Sequence, residues 1–192
     1  MIDKKALTKI KKNLETFDEK REYIIKTSRD ILRFSKQAIN AVHRGNNTQA
    51  TQLLKNAEKG IKKVLAEIKK NNKLSIVRAF NAAMEEYCEA KCFLHYTETG
   101  NILSPTKLPA NDMDYLLGLC DLTGELGRKA VRCATNKEYK ELTNIRNTVE
   151  EIHTFFLSLS LRNSELRKKY DSIKWNLKKI EDIIYDVNLR KK

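Results

Sequence analysis

Apolar side chains recur at Leu7, Ile10, Leu14, Phe17 and Ile24, then at Ile31, Ala38 and Val42, in steps of three, four and seven with no proline between them. That spacing keeps one stripe on one face of an α-helix, so residues 3–44 are expected to form a single helix about 60 Å long. The same rhythm ends the chain, where Leu166, Tyr170, Ile173, Leu177, Ile180, Ile184 and Val187 make an unbroken heptad series over 164–189. Gly45 in "RGNN" stops the first helix, and Thr48 is placed to cap a second that runs to about Lys70. "KKNNKLS" breaks the pattern before a third helix from about Leu74 to Tyr96. "TETGNILSPTKLPAND", residues 97–112, gathers both prolines and is the one substantial loop. A fourth helix follows from Asp112 or Asp114 to about Ala134. A fifth, near 137–161, carries Leu142, Ile145, Val149, Ile152, Phe156 and Leu159. With two Pro and six Gly in 192 residues, the expected architecture is all-α: one domain over 1–192, a bundle of six or seven long antiparallel helices. The stripes of the first and last helices exceed what one chain can cover, which predicts self-association.

The balance of 38 Lys plus Arg against 25 Asp plus Glu gives a net charge of +13. A field of that sign gathers polyanions, nucleic acid foremost; the plainer source is a lysine-rich surface of the kind seen in proteins of high-temperature organisms. Cysteines at 88, 92, 120 and 133 lie in apolar helical runs and form no CxxC pair, so they read as buried reduced thiols. "MIDKKALTKIKK" lacks an unbroken apolar core, and no run of roughly eighteen apolar residues occurs, which argues for a cytoplasmic protein without a membrane span. No P-loop, GxGxxG or Ser/His/Asp order is present. A single Glu-x-x-His, Glu150 with His153, lacks the second copy that di-iron bundles need. His43 ends the first helix, where a cation favours the dipole, and reads as a cap.

Carboxylates are the residues that carry possible chemistry. Glu86 and Glu89 lie three apart, and Asp121 and Glu125 four apart, so each pair shares a helix face. The second pair interrupts a run that otherwise asks for burial. Were the two helices neighbours, four acids would converge and repel one another unless protonated, paired with Lys or Arg, or bridged by divalent cations. Oxygen-only ligands select hard ions, Mg²⁺ or Mn²⁺, which suit phosphoryl chemistry. The residues alone leave a second reading open, in which the same acids are surface groups paired with Arg78, Lys91, Arg128 or Lys129.

"DYLLGLCDLTGELGRKAV", 114–131, resembles the signature of the translin family's factor-X branch. "MEEYCEA", 84–90, resembles that branch's other acidic helix, and "REYIIKTSRDILRFSKQAINAVHR", 21–44, its N-terminal helix. "SELRKKYDSIKWNLKKIEDIIYDVNLR", 164–190, is more similar to translin itself, so the likeness covers essentially the whole chain. The resemblance implies an all-helical fold, assembly into a hollow octamer-like barrel, and metal-dependent endonuclease activity on RNA. The family's catalytic, metal-holding positions match Glu86, Glu89, Asp121 and Glu125, a set that translin lacks. Gly127 and Lys129 depart from the bulkier apolar residues usual there; the central loop is shorter and the long N-terminal extension is missing. The expectation is an Mg²⁺- or Mn²⁺-dependent endoribonuclease that binds and cleaves single-stranded RNA inside a homo-oligomer. Lys91, Arg128, Lys129 and Arg132 are the basic residues nearest the acids in sequence and the candidates for contact with RNA or single-stranded DNA. The alternatives are a non-catalytic RNA- or single-stranded-DNA-binding scaffold and a helical adaptor for an acidic protein.

Overall fold

The structure is a computed structural model that describes residues 3–162 and 165–189. Six α-helices account for most of it: α1 Lys4–His43, α2 Asn47–Lys70, α3 Arg78–Thr99, α4 Asp112–Thr135, α5 Tyr139–Leu157 and α6 Glu165–Leu189. Short 3₁₀ turns occupy Asn72–Ile76 and Pro105–Lys107, and no strand occurs among the described residues. The all-α expectation therefore holds, and the helix count is the lower of the two expected. The start expected at residue 164 for the last helix lies outside the described residues.

Local chemistry sets the helix ends. The Asp3 carboxylate accepts from the backbone N–H groups of Lys5 and Ala6, which otherwise lack partners in the first turn of α1. Arg44 closes that helix and Gly45 follows at φ 76°, a left-handed conformation that costs glycine nothing. Asn46, not Thr48, caps α2, through its side-chain oxygen on the Gln49 N–H at 3.0 Å. Helix α3 begins at Arg78 instead of near Leu74, because "NKLSI" winds into the tighter 3₁₀ turn. Asn111 caps α4 through the Asp114 N–H at 2.8 Å. Helix α5 is shorter than the expected 137–161; Lys137 adopts φ 64° ahead of it, and Ser158 ends it.

Helix α1 packs on α2 and α3; α4 packs on α3, α5 and α6; α5 packs on α6. Ile24, Ile31, Ala38, Leu54, Ile61, Phe93, Leu122, Leu126, Ile145, Phe156 and Ile173 make the continuous core. The α1 stripe divides: it is buried from Ile24 onward, whereas Leu7, Ile10 and Leu14 stand 50–60 % exposed on a segment that extends beyond the other helices' cover. On α6, Leu166, Tyr170, Ile173 and Ile180 are buried, while Trp175 and Tyr185 face outward. All four cysteines are buried free thiols. No helix is long and apolar enough to cross a membrane among the described residues.

One contact determines where the acidic helices meet. A Cβ built at Gly118 of α4 would lie 2.8 Å from the Glu85 carbonyl oxygen, 2.9 Å from Cys88 Cβ and 3.0 Å from the Glu89 nitrogen. Helix α4 thus lies with its backbone almost against that of α3, an approach only glycine permits. Glu86 and Glu89 on one helix and Asp121 on the other flank this point, within one turn along each chain.

Candidate functional site

A cleft of about 450 Å³ opens between α1, α3, α4 and α6. Glu86, Glu89, Asp121 and Glu125 all line it, with Lys36, Ile39 and Asn40 from α1, Arg128 from α4, and Ser172 and Asn176 from α6. The helical spacing expected to bring each pair onto one face does so, and the α3–α4 contact sets the pairs opposite each other.

The acids perturb one another strongly. Burial, then the charges of Glu86, Asp121 and Glu125, push Glu89 up to about 9; its side chain is nearly closed off, at 6 % exposure. Burial also raises Glu86, opposed by Lys36 and reinforced by Asp121 and Glu125. Asp121 is pushed up to about 6, by burial first and by the Glu125 charge second, in spite of the Lys169 ammonium 2.6 Å away. A raised carboxylate in a cleft marks negative charge that is poorly matched by what surrounds it.

Several of the surrounding groups are basic. Lys36 Nζ stands 3.9 Å from Glu86, Arg128 Nη1 stands 3.9 Å from Glu125, and Lys169 Nζ contacts both Glu85 and Asp121. His43 turns Nε2 onto Glu125 and sets its ring 4.7 Å from that of Phe93. Its role therefore differs from the helix cap expected of it: the ring is buried and engages a cleft carboxylate on another helix. Among the described residues, no three His, Cys, Asp or Glu side chains group tightly enough to grip an ion as they lie. The donor chemistry nonetheless fits a hard divalent cation: four carboxylates line the cleft from α3 and α4, three of them on groups whose burial disfavours charge, and the Cys120 thiol beside them is pushed up to about 12 by burial and so stays protonated.

Of the basic candidates, only Arg128 reaches this cleft. Lys91 is bonded to Glu58 of α2 at 3.1 Å, and Lys129 pairs with Glu141 of α5 at 3.3 Å. Lys129 and Arg132 line a smaller neighbouring pocket with His43, Phe93 and Thr97. Neither Arg78 nor Lys91 is the partner of the acids; Lys36 and Lys169 are, from helices distant in sequence. Glu150 is held by Arg146, and His153 stacks on Tyr170, so their Glu-x-x-His spacing serves helix packing.

Local spacing could not reveal Lys169, because its acid partners lie 84 and 48 residues away. A weak signal did exist for α1. Lys36, Asn40 and His43 follow one another at helical spacing beside the apolar stripe, which marks a polar line bordering a buried face.

The chain's likenesses to known proteins bear on its family and fold. The model of the Translin family matches residues 19–191. Over 77 residues the chain is 40% identical to Translin of Gallus gallus, a match that takes in 40% of this chain and 34% of that protein, so it spans about a third of that relative's length. It is 30% identical over 195 residues to the Translin-associated protein X homolog of Schizosaccharomyces pombe, covering 92% of this chain and 84% of that one. The solved structure of AfC3PO in complex with duplex RNA superposes with a TM-score of 0.87 at 24% identity, over 96% of this chain and 97% of that one, and shows the same fold. Matched by the family model over most of its length and by a full-length relative, the chain belongs to the Translin family.

Proposed function

We propose that this protein is a divalent-metal-dependent endoribonuclease of the translin and factor-X type, acting on single-stranded RNA within a homo-oligomer in the cytoplasm. The observation that carries the proposal is the convergence of Glu86, Glu89, Asp121 and Glu125 from two helices on one cleft, with Glu89 and Asp121 pushed well above the ordinary carboxylate range. Kinship over 92% of the chain with a translin-associated protein X homolog supports it, together with the resemblance of the four acidic positions to that branch's signature.

Glu86, Glu89, Asp121 and Glu125 would hold Mg²⁺ or Mn²⁺, which supplies Lewis-acid charge at a phosphodiester and acidifies water. The remaining steps fall to the chain's own side chains. Arg128, more than half exposed at the cleft edge, offers a planar fork of donors to phosphate oxygens. His43 holds Glu125 in one orientation by its ring nitrogen, and Phe93 fixes the ring. Lys36 places a further positive charge on the α1 side. The net charge of +13 draws RNA toward the protein by counterion release, so affinity falls steeply with added salt. The exposed stripe of Leu7, Ile10 and Leu14 supplies an apolar seam for self-association, for which an octamer-like barrel is the proposed form.

Labelled single-stranded RNA, incubated with and without Mn²⁺, tests the proposal directly. Cleavage should require the ion and disappear in Glu125→Gln while RNA binding and assembly persist. Unchanged cleavage by that variant rejects the assignment. The ion pairs from Lys36, Arg128 and Lys169 favour one competing reading, a non-catalytic RNA-binding scaffold. It requires binding that is indifferent to EDTA and no product at any Mn²⁺ concentration; duplex RNA belongs in the same assay, since AfC3PO was solved with it.

A further inference from the structure

Helix α6 brings a cation to the acids from outside the two acidic helices. Lys169 reaches across to carboxylates on two other helices, Glu85 of α3 and Asp121 of α4. Its side chain is 27% exposed, against 15% for Glu85 and 35% for Asp121, so this bridge is partly withdrawn from solvent and less screened than a surface pair. The position is fixed by packing. Asn176, seven residues on and therefore on the same face of α6, donates a 2.9 Å hydrogen bond to the Thr123 hydroxyl, itself fully buried in α4. Gly124 leaves room beside it, with the Asn176 amide 3.7 Å from where a Cβ would stand. Two turns earlier, Tyr170 is buried against Phe156, which pins the residue after Lys169.

We infer that Lys169 is a positioned competitor for the divalent cation: its ammonium occupies one oxygen of Asp121, a residue that the metal reading assigns to the ion, so each ion that takes this oxygen displaces it toward Glu85. The inference rests on the metal reading above and adds a determinant of metal affinity to it. The geometry supplies the alternative resting place, because Glu85 lines no part of the acid cleft and already touches the same ammonium. Burial lowers the Lys169 pKa, in keeping with an amine that is imperfectly solvated where it sits. A released ammonium stays within a side chain's length of the cleft, where the phosphate backbone of RNA would meet it.

Equilibrium Mn²⁺ binding to the full chain, by titration calorimetry or by the electron paramagnetic resonance of free Mn²⁺, tests this without reference to cleavage. Lys169→Met should lower the Mn²⁺ dissociation constant about tenfold, since a unit positive charge within a few ångströms of the ligand oxygen is removed. Lys168→Met makes the same charge change one residue away on an exposed position and should alter the constant less than about twofold. Lys169→Arg keeps the charge and should stay near the parent value. Helical circular dichroism and molar mass serve as controls for folding. Lys169→Met affinity equal to that of Lys168→Met, or weaker than the parent's, overturns the inference alone if the parent binds Mn²⁺. Absence of Mn²⁺ binding in the parent and in every variant overturns the inference and the metal reading together.

Discussion

Replacing Gly118 by alanine tests whether the contact between α3 and α4 creates the site. The new methyl carbon would stand 2.8 Å from the Glu85 carbonyl oxygen, 2.9 Å from Cys88 Cβ and 3.0 Å from the Glu89 nitrogen. Carbon contacts are most favourable at about 3.5–4.0 Å, so the helices must part by roughly 0.5–1 Å. Two of the three obstructing atoms belong to the backbone and cannot rotate aside. Overpacking of this kind costs about 1–3 kcal/mol, against which alanine gains up to ~1 kcal/mol over glycine in helix propensity. With the full propensity gain, the expected net is a loss of up to about 2 kcal/mol. Gly127 provides the matched control on the same helix: nothing lies within 4 Å of its Cβ position, so Gly127→Ala should gain up to ~1 kcal/mol. Urea denaturation followed by circular dichroism, at one fixed protein concentration because association contributes to stability, measures both. RNA cleavage should fall in Gly118→Ala and persist in Gly127→Ala, since only the former separates the carboxylate pairs. Equal midpoints for the two variants, or a Gly118→Ala protein more stable than the parent, would refute the close approach on which the cleft depends.

Three further outcomes follow from the same geometry. Glu89 is raised from 4.5 to about 9 and Asp121 from 3.8 to about 6, so the folded chain retains protons that the unfolded chain releases. Stability in EDTA should therefore be greatest below about pH 4 as far as these groups are concerned, and decline as pH rises to 6 for Asp121 and to 9 for Glu89, by up to about 1.4 kcal/mol per pH unit for each proton. Glu89→Gln, which cannot ionise, should flatten the decline above pH 6 in denaturation midpoints taken across that range; an unaltered slope contradicts the burial assigned to Glu89. Ile10→Asp with Leu14→Asp should lower the molar mass in light scattering while leaving helix content intact, because both positions are exposed within one chain; an unchanged mass would place the subunit contacts elsewhere. Asn176→Ala should cost about 1 kcal/mol through the lost bond to buried Thr123 and loosen α6 from α4, read by hydrogen exchange across Glu165–Leu189.

Helices were legible in the chain because their signals are local. Leu166, Tyr170, Ile173 and Ile180 announce a buried face by spacing alone, and Gly45 and Gly100 end helices by conformations that glycine favours. The ends that differed did so by about one turn, where neighbouring polar residues compete: Asn46 caps α2 in place of Thr48, and "NKLSI" takes a 3₁₀ turn ahead of α3. The grouping of Glu86 with Glu89 and of Asp121 with Glu125 was also local, since residues three and four apart share a helix face.

What the linear chain could not express is which groups would surround those acids. His43 meets Glu125 at a separation of 82 positions along the chain, and Lys169 meets Glu85 at 84. No spacing rule connects residues so far apart; their encounter depends on how six amphipathic faces share one core. Tertiary packing therefore chose among the basic candidates, turning Lys91 to Glu58 and Lys129 to Glu141 while leaving Arg128 at the cleft. By itself the sequence determined the helices, their apolar faces and the acidic pairs, because each depends on interactions within a turn or two. Only the assembled bundle decided the depth of the cleft, the elevation of Glu89 and the cations that contend for its oxygens, because desolvation and charge act through space and not along the chain.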